Sequence, residues 1–460
     1  MSKQNTFLGK GKILSIISKQ DARVHFVGVG GVGMSALFCL TRHFGILASG
    51  SDARGSIFLN SLIEIGENIY VGERAEVAKG ADIVVYSLAV SEENSELAAA
   101  EERGIPTVSR ADYMSALESL YSKTFAISGS HGKSTATAML YSIFKEDLRE
   151  PTVLCGAEFF TKSQQVHRIG IGSLDYLIYE SCEYKDSFLA FCPDVAIFLN
   201  LELDHTDYFK DIEQIRSSFE SAINNAAVAV VNSDDINLHS IKAKRGVRCV
   251  TFGEREECDY RYSVNSLTAG APCFSAFRRG ELLGEIHLCC IGEFNATNAT
   301  AAIAAAMETG ISFEACKRGI ESFLGVGRRL ELIGKWRGRD VYYDYAHHPT
   351  EIRAVISAIK NMGHADVTVI FCAHTYSRTE ALLADFINAL SLAKHLILTE
   401  IDAVRESCGN ITSKDFAAAC SGVLVTSKSE LEAALRNTGG AILLMGAGNN
   451  EWVKKFLLGY

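Results

Sequence analysis

TFAISGSHGKSTATAMLYSIF, residues 124–144, decides the fold. An apolar run fit for a buried strand passes through glycines and continues with apolar residues at helical spacing, which is the strand, loop and helix of an α/β unit. Between strand and helix lies Gly129-Ser130-His131-Gly132-Lys133-Ser134-Thr135. Backbone N–H groups at a helix N-terminus attract anions, so this loop is expected to cradle phosphates. Lys133 would offset the charge of the β- and γ-phosphates, and the Ser134 hydroxyl can coordinate Mg2+. ATP is the implied ligand. The spacing departs from GxxxxGK[ST], because Ile127 stands where the first glycine belongs.

Upstream, VHFVGVG, MSALFCLTRHFG and ILASGSD repeat the strand, helix, strand rhythm from residue 24, and ADIVVYSLAV and ADYMSALESLY continue it to residue 121. Gly28-Val29-Gly30-Gly31-Val32-Gly33 satisfies GxGxxG between the first strand and its helix, and Asp52 closes the next strand. That spacing selects a diphosphate on a nucleoside, with the acid toward a ribose hydroxyl. On its own it fits a dinucleotide dehydrogenase or a UDP-sugar site. Downstream of the phosphate loop, DYLIYES, DVAIFLNL and AAVAVVN are continuous apolar runs, as in a parallel sheet covered on both faces. Near GVGRRLE the pattern restarts, with strands around VYYDYA, VTVIFCAH and AILLMGAG. Three α/β domains are expected, at 1–122, 123–328 and 329–460. Residues 247–288 alternate polar and apolar positions and read as an antiparallel addition to the second domain.

Composition narrows the function. With 460 residues and a formal net charge of -10, the chain is large enough for several cores and lacks the basic surplus that sequence-independent nucleic-acid binding needs. MSKQNTFLGKGKILSIISKQ has no unbroken apolar core, so a signal peptide is not expected. The Ala-rich run after Asn298 is broken by Glu308, short of the roughly 20 apolar residues of a membrane span. Thirteen cysteines include the adjacent Cys289 and Cys290 but no CxxC, and are expected to be reduced core thiols. A cytoplasmic protein is the expectation.

Glu180 closes DYLIYES and His205 closes DVAIFLNLELDH, at strand ends where α/β sheets bind ligands. A carboxylate and an imidazole there suit a magnesium shell, while a hydrogen-bonding role in a turn is an equally simple reading of His205. Farther on comes Asp344-Tyr345-Ala346-His347-His348-Pro349-Thr350-Glu351. GVGGVGMSA, GSHGKST, NLELDHTDYF, NATNATAA, GVGRRLE, DYAHHPTEI, AHTYSRT and MGAG then follow one another in the order found in the Mur ligases. The chain resembles that family over nearly its whole length, and within it the members that join L-alanine to UDP-N-acetylmuramate in peptidoglycan precursor synthesis.

The resemblance implies a Rossmann-like first domain holding the UDP-sugar, a P-loop ATPase-like middle domain, and a Rossmann-like third domain for the amino acid. It turns the first loop from NAD to UDP, with Gly28, Gly30, Gly31, Gly33, Met34, Asp52 and Ser87 on the sugar nucleotide. Lys133, Glu180, His205, Arg329 and His348 become the candidate catalytic residues, and Ser134, Glu180 and His205 the Mg2+ ligands. Asn295 and Asn298 flank the adenine, and Arg329 and Asp344 approach ATP from the third domain. Family members often read HRYSR where this chain has His374-Thr375-Tyr376-Ser377-Arg378, which leaves the incoming carboxylate to Arg378. An exposed pairing of Arg378 with Glu380 is the plainer alternative. Likewise EADESD is replaced by Glu180-Ser181-Cys182-Glu183-Tyr184-Lys185. Rival functions are a ligase for a preformed tripeptide, an NAD-dependent oxidoreductase and a non-catalytic UDP-sugar sensor.

Overall fold

The computed structural model describes residues 8–206, 208–402, 406 and 409–459; the first seven residues of the opening segment, and Asp207 within NLELDHTDYF, lie outside the described residues. The first sheet is wholly parallel, in the order 69–71, 47–52, 23–27, 83–86, 107–109. Its central strand, Arg23–Val27, runs directly into the first glycine loop and the helix Val32–His43.

The second sheet has ten strands, with Lys123–Ser128 between Tyr176–Glu180 and Val195–Phe198. These strands are parallel and buried on both faces, which is why they read as unbroken apolar runs. One expectation needs correcting: Arg248–Gly253 is a parallel strand beside Val228–Asn232, and the antiparallel part begins only at Tyr260–Thr268. Alternation reports one open face, a property that strands of either direction share, so it could not give the direction.

The third sheet, 331–336, 339–344, 441–445, 367–371, 395–398 and 423–424, is parallel except for its first strand. No helix among the described residues is long and apolar enough to cross a membrane. All twelve described cysteines are free, but only six are buried, so the core-thiol expectation holds for half of them.

The joints between these units differ. Helix Arg110–Glu118 shares an apolar core with the middle unit, where Tyr113 and Met114 belong to the same cluster as Phe188 and Phe191. The third sheet has apolar clusters of its own, one of them touched by Ile291 of the middle unit, and at the site the two units also meet through polar side chains. The phosphate-loop helix Lys133–Glu146 lies against the Ala-rich helix Asn295–Met307 and against Phe313–Ser322. Small side chains let the helices approach. At Gly319 an added Cβ would overlap the backbone of Ile143. Alanine is normally the better helix former by about 1 kcal/mol, so Gly319→Ala tests whether packing dominates. The expected result is a loss of roughly 1–3 kcal/mol in urea unfolding, and a gain in stability would refute the close approach.

Candidate active site

The phosphate loop is held from outside. Leu199 N–H donates to Ser128 O, Ser130 N–H to Asn200 O at 3.2 Å, and His131 N–H to the Asn200 side chain at 2.7 Å. Ser130 Oγ and Glu202 N–H complete the strap at 2.9 Å. Gly132 caps the helix at φ 82°, a left-handed conformation, and a Cβ there would lie 2.5 Å from Asn298 Oδ1. Glycine is required on both counts. Ser134 and Thr135 sit in the helix's first turn.

Lys133 Nζ donates to Gly129 O and lies 3.2 Å from Glu183 Oε2. Glu183 is fully buried and also lies 3.6 Å from His205 Nε2. Burial opposes the Lys133 charge, yet Glu183, Cys182 and Glu180 hold its pKa above the ordinary lysine value. Glu180 stands at its predicted strand end, but its carboxylate accepts from Gly156 N–H, and among the described residues it forms no ion pair with Lys133 or His205. Glu183, three residues on, is the carboxylate that faces both Lys133 and His205. Lys185 and Asp186 just beyond it have φ of 52° and 57°. That strained turn is anchored where the Asp186 carboxylate accepts from Ser218 Oγ and the Tyr208 hydroxyl.

A second cluster joins the loop to the third unit. His131 Nε2 lies 3.3 Å from Glu202 and its Nδ1 3.2 Å from Glu351, while His348 Nδ1 lies 3.1 Å from Glu202. Thr350 Oγ1 donates to Glu202 at 2.7 Å, and Arg329 pairs with Glu351 at 3.3 Å. Among the described residues, His348 Nε2 is buried without a hydrogen-bond partner. Burial alone would lower the His131 pKa, but Glu351 and Glu202 override it and push it up to about 9. Beside this cluster lies a cavity of about 290 Å³ lined by Asn295 and Asn298 from one unit and Arg329 and Asp344 from the other. Asp344 accepts from Leu330 and Ala346 N–H, and burial raises its pKa to about 6 despite Arg329.

Arg378 is not on an exposed helix face. It is 8% exposed and pairs with Asp204 of the middle unit at 2.7 Å, while Glu380 accepts from Asn410. At the first glycine loop, Gly28 has φ 83°, and Gly28 and Val29 N–H both donate to Ser51 O. Met34 is buried behind the loop. Asp52 accepts from Gly30 N–H at 2.9 Å and from Arg54 N–H at 3.1 Å, so its carboxylate braces the loop. Ser87 lines a cavity of about 100 Å³ with Arg110, Cys182 and Tyr184. The Arg110 guanidinium lies against Gly33, and burial lowers its pKa despite Cys182 and Glu180.

Residues 23–121, 127–306 and 328–448 match, in turn, the Mur ligase family catalytic domain, the Mur ligase middle domain and the Mur ligase glutamate ligase domain. The UDP-N-acetylmuramate–L-alanine ligase of Caldanaerobacter subterraneus subsp. tengcongensis is 38% identical over 399 residues, 85% of this chain and 86% of its own. The chain belongs to the Mur ligase family. Among solved structures, the UDP-N-acetylmuramate–alanine ligase of Thermotoga maritima superposes with a TM-score of 0.80 at 26% identity, covering 95% of this chain and 98% of its own. A murein peptide ligase from Psychrobacter arcticus shares the fold at 22% identity and a TM-score of 0.74, covering 95% and 98%.

Sequence reading of this Mur ligase missed Glu183, Glu202, Asp204, Glu351 and Arg110. All but Arg110 lie inside the motif strings, as the unremarked acids of ESCEYK, LELDH and HHPTE. Asp204 beside His205 and Glu351 three residues from His348 carried a local signal, whereas nothing local tied Glu183 to Lys133. The charge on His131 gives a pH test. A raised folded pKa means that its contribution is whole below about pH 6.5, the ordinary histidine value, and is lost as pH rises through about 9. His131→Gln should therefore lower the unfolding temperature most near about pH 6, by the equivalent of at most about 3 kcal/mol, with the gap to wild type closing above pH 9. A gap independent of pH would show that His131 is not a charged clamp.

Proposed function

We propose that this Mur ligase uses ATP to join L-alanine to the lactyl carboxylate of UDP-N-acetylmuramate, supplying peptidoglycan precursors in the cytoplasm. One observation carries the reading: an unbroken chain of contacts from the phosphate lysine to the carboxylate arginine. Lys133 meets Glu183, Glu183 meets the His205 imidazole, the His205 backbone N–H donates to the Asp204 carboxylate, and Asp204 pairs with Arg378. The terminal phosphate of ATP and the carboxylate of an amino acid would lie at the two ends of that chain, with the reacting carboxylate between them.

We assign residues 1–122 to the UDP-sugar, through Gly28 to Gly33, Met34, Asp52, Ser87 and the previously unassigned Arg110. Residues 123–328 take ATP, through Gly129 to Thr135, Asn295 and Asn298. Residues 329–460 contribute Arg329, Asp344, His348 and Arg378. A carboxylate does not condense with an amine in water, because its leaving group would be oxide. Transfer of the γ-phosphoryl group to the lactyl oxygen gives an acyl phosphate, and Lys133 and Arg329 balance the charge that spreads over the phosphoryl oxygens. The neutral amine, held by its carboxylate on Arg378, attacks the acyl carbon, and phosphate leaves from the tetrahedral intermediate. Ser134, Glu180 and His205 would hold Mg2+ through a hydroxyl, a carboxylate and an imidazole, and the ion would supply neutralisation of the phosphate charge.

The test is phosphate release from ATP with UDP-N-acetylmuramate and, in turn, each amino acid or the murein tripeptide. Alanine should stimulate release most, and Lys133→Ala should reduce it at least ~100-fold. Stimulation by the tripeptide and not by alanine would overturn the assignment.

A further inference from the structure

Asp204 lies in the loop after strand Val195–Phe198, and Arg378 in the short helix after strand Val367–Phe371, so the two come from different sheets. Both side chains are buried. Arg378 donates to the same oxygen, Asp204 Oδ1, from Nε at 3.0 Å and from Nη2 at 2.7 Å. That oxygen also accepts from His205 N–H at 2.7 Å. Among the described residues, Arg378 Nη1 is buried and has no hydrogen-bond partner. The start of the helix is fixed independently, since Tyr376 and Ser377 N–H both donate to Glu406.

A guanidinium offers two edges to carboxylates, one through Nε and Nη2 and one through Nη1 and Nη2. Asp204 takes the first. The second keeps a buried, unsatisfied donor, the kind of group that a folded protein rarely leaves without a purpose. We infer that Asp204 is the positioning residue of the amino-acid seat: it holds Arg378 by one edge so that the other is presented to the incoming carboxylate. This inference rests on the ligase reading and adds to it the group that builds the seat. The seat is then formed from both units, and it exists only while the third unit lies against the middle one. The His347 imidazole is pushed by burial, with Arg378 adding to the effect, to about 4 and is neutral at the seat.

The experiment is steady-state kinetics on the full chain with each substrate varied in turn, for Asp204→Asn, Asp204→Glu, Arg378→Lys and the pair Asp204→Asn, Arg378→Lys. Removing one member of a buried ion pair can prevent folding, and Asp204→Glu keeps the charge while displacing the guanidinium by a methylene. The expected result is a rise of about tenfold or more in KM for alanine in whichever single variants fold, with KM for ATP and UDP-N-acetylmuramate within about threefold of wild type. In the Arg378→Lys background, Asp204→Asn should add little, because Asp204 acts through Arg378. An unchanged alanine KM in Asp204→Glu, or equal rises for all three substrates, would overturn the inference, the latter marking a strut between units. Wild type run in parallel separates the two claims: no alanine-dependent phosphate release from wild type removes the ligase reading and the seat together, whereas an active wild type with an indifferent Asp204→Glu removes the seat alone.

Discussion

A cation taken out of water must meet a carboxylate or lose several kcal/mol, and that constraint organises the site of this protein. Lys133 rests on Glu183, His131 lies between Glu202 and Glu351, Arg329 pairs with Glu351, and Arg378 pairs with Asp204. Each pair fixes a long or rotatable side chain in one place. Preorganised charge is what stabilises a phosphoryl group in transfer, since it needs no rearrangement when the reaction occurs.

The same pairs explain why the joints between units differ. The first unit meets the middle one through buried apolar side chains such as Tyr113 and Phe188. The third meets it at the site through ion pairs, beside the smaller apolar contact of Ile291. Apolar joints are hard to open, whereas polar interfaces between domains resemble transient ones and respond to ligands. An enzyme that must admit three substrates and exclude water needs one joint of the second kind.

Much of this was legible from residues 124–144 and the glycine loop, because a strand, a glycine turn and a helix leave a local signature. The parallel strands could be read from their unbroken apolar runs, but the direction of Arg248–Gly253 could not, because alternation is the same in both directions. The candidate cations were found from motif chemistry. Their partners were not, because Glu183 shares a string with Glu180, and nothing local says which carboxylate faces Lys133. Similarly, Arg378 and Asp204 are 174 positions apart, and only the packing of two sheets makes them neighbours. Asp52 was correctly placed at a strand end, but its hydrogen bond to Gly30 is a property of the folded loop.

The central claim is that the sugar carboxylate is phosphorylated before the amine attacks. Its most direct test uses UDP-N-acetylmuramate carrying 18O in the lactyl carboxylate, incubated with ATP and alanine, and mass analysis of the phosphate released. The acyl-phosphate route transfers one carboxylate oxygen to phosphate, so labelled phosphate should appear in step with product. Product formed together with unlabelled phosphate would contradict it.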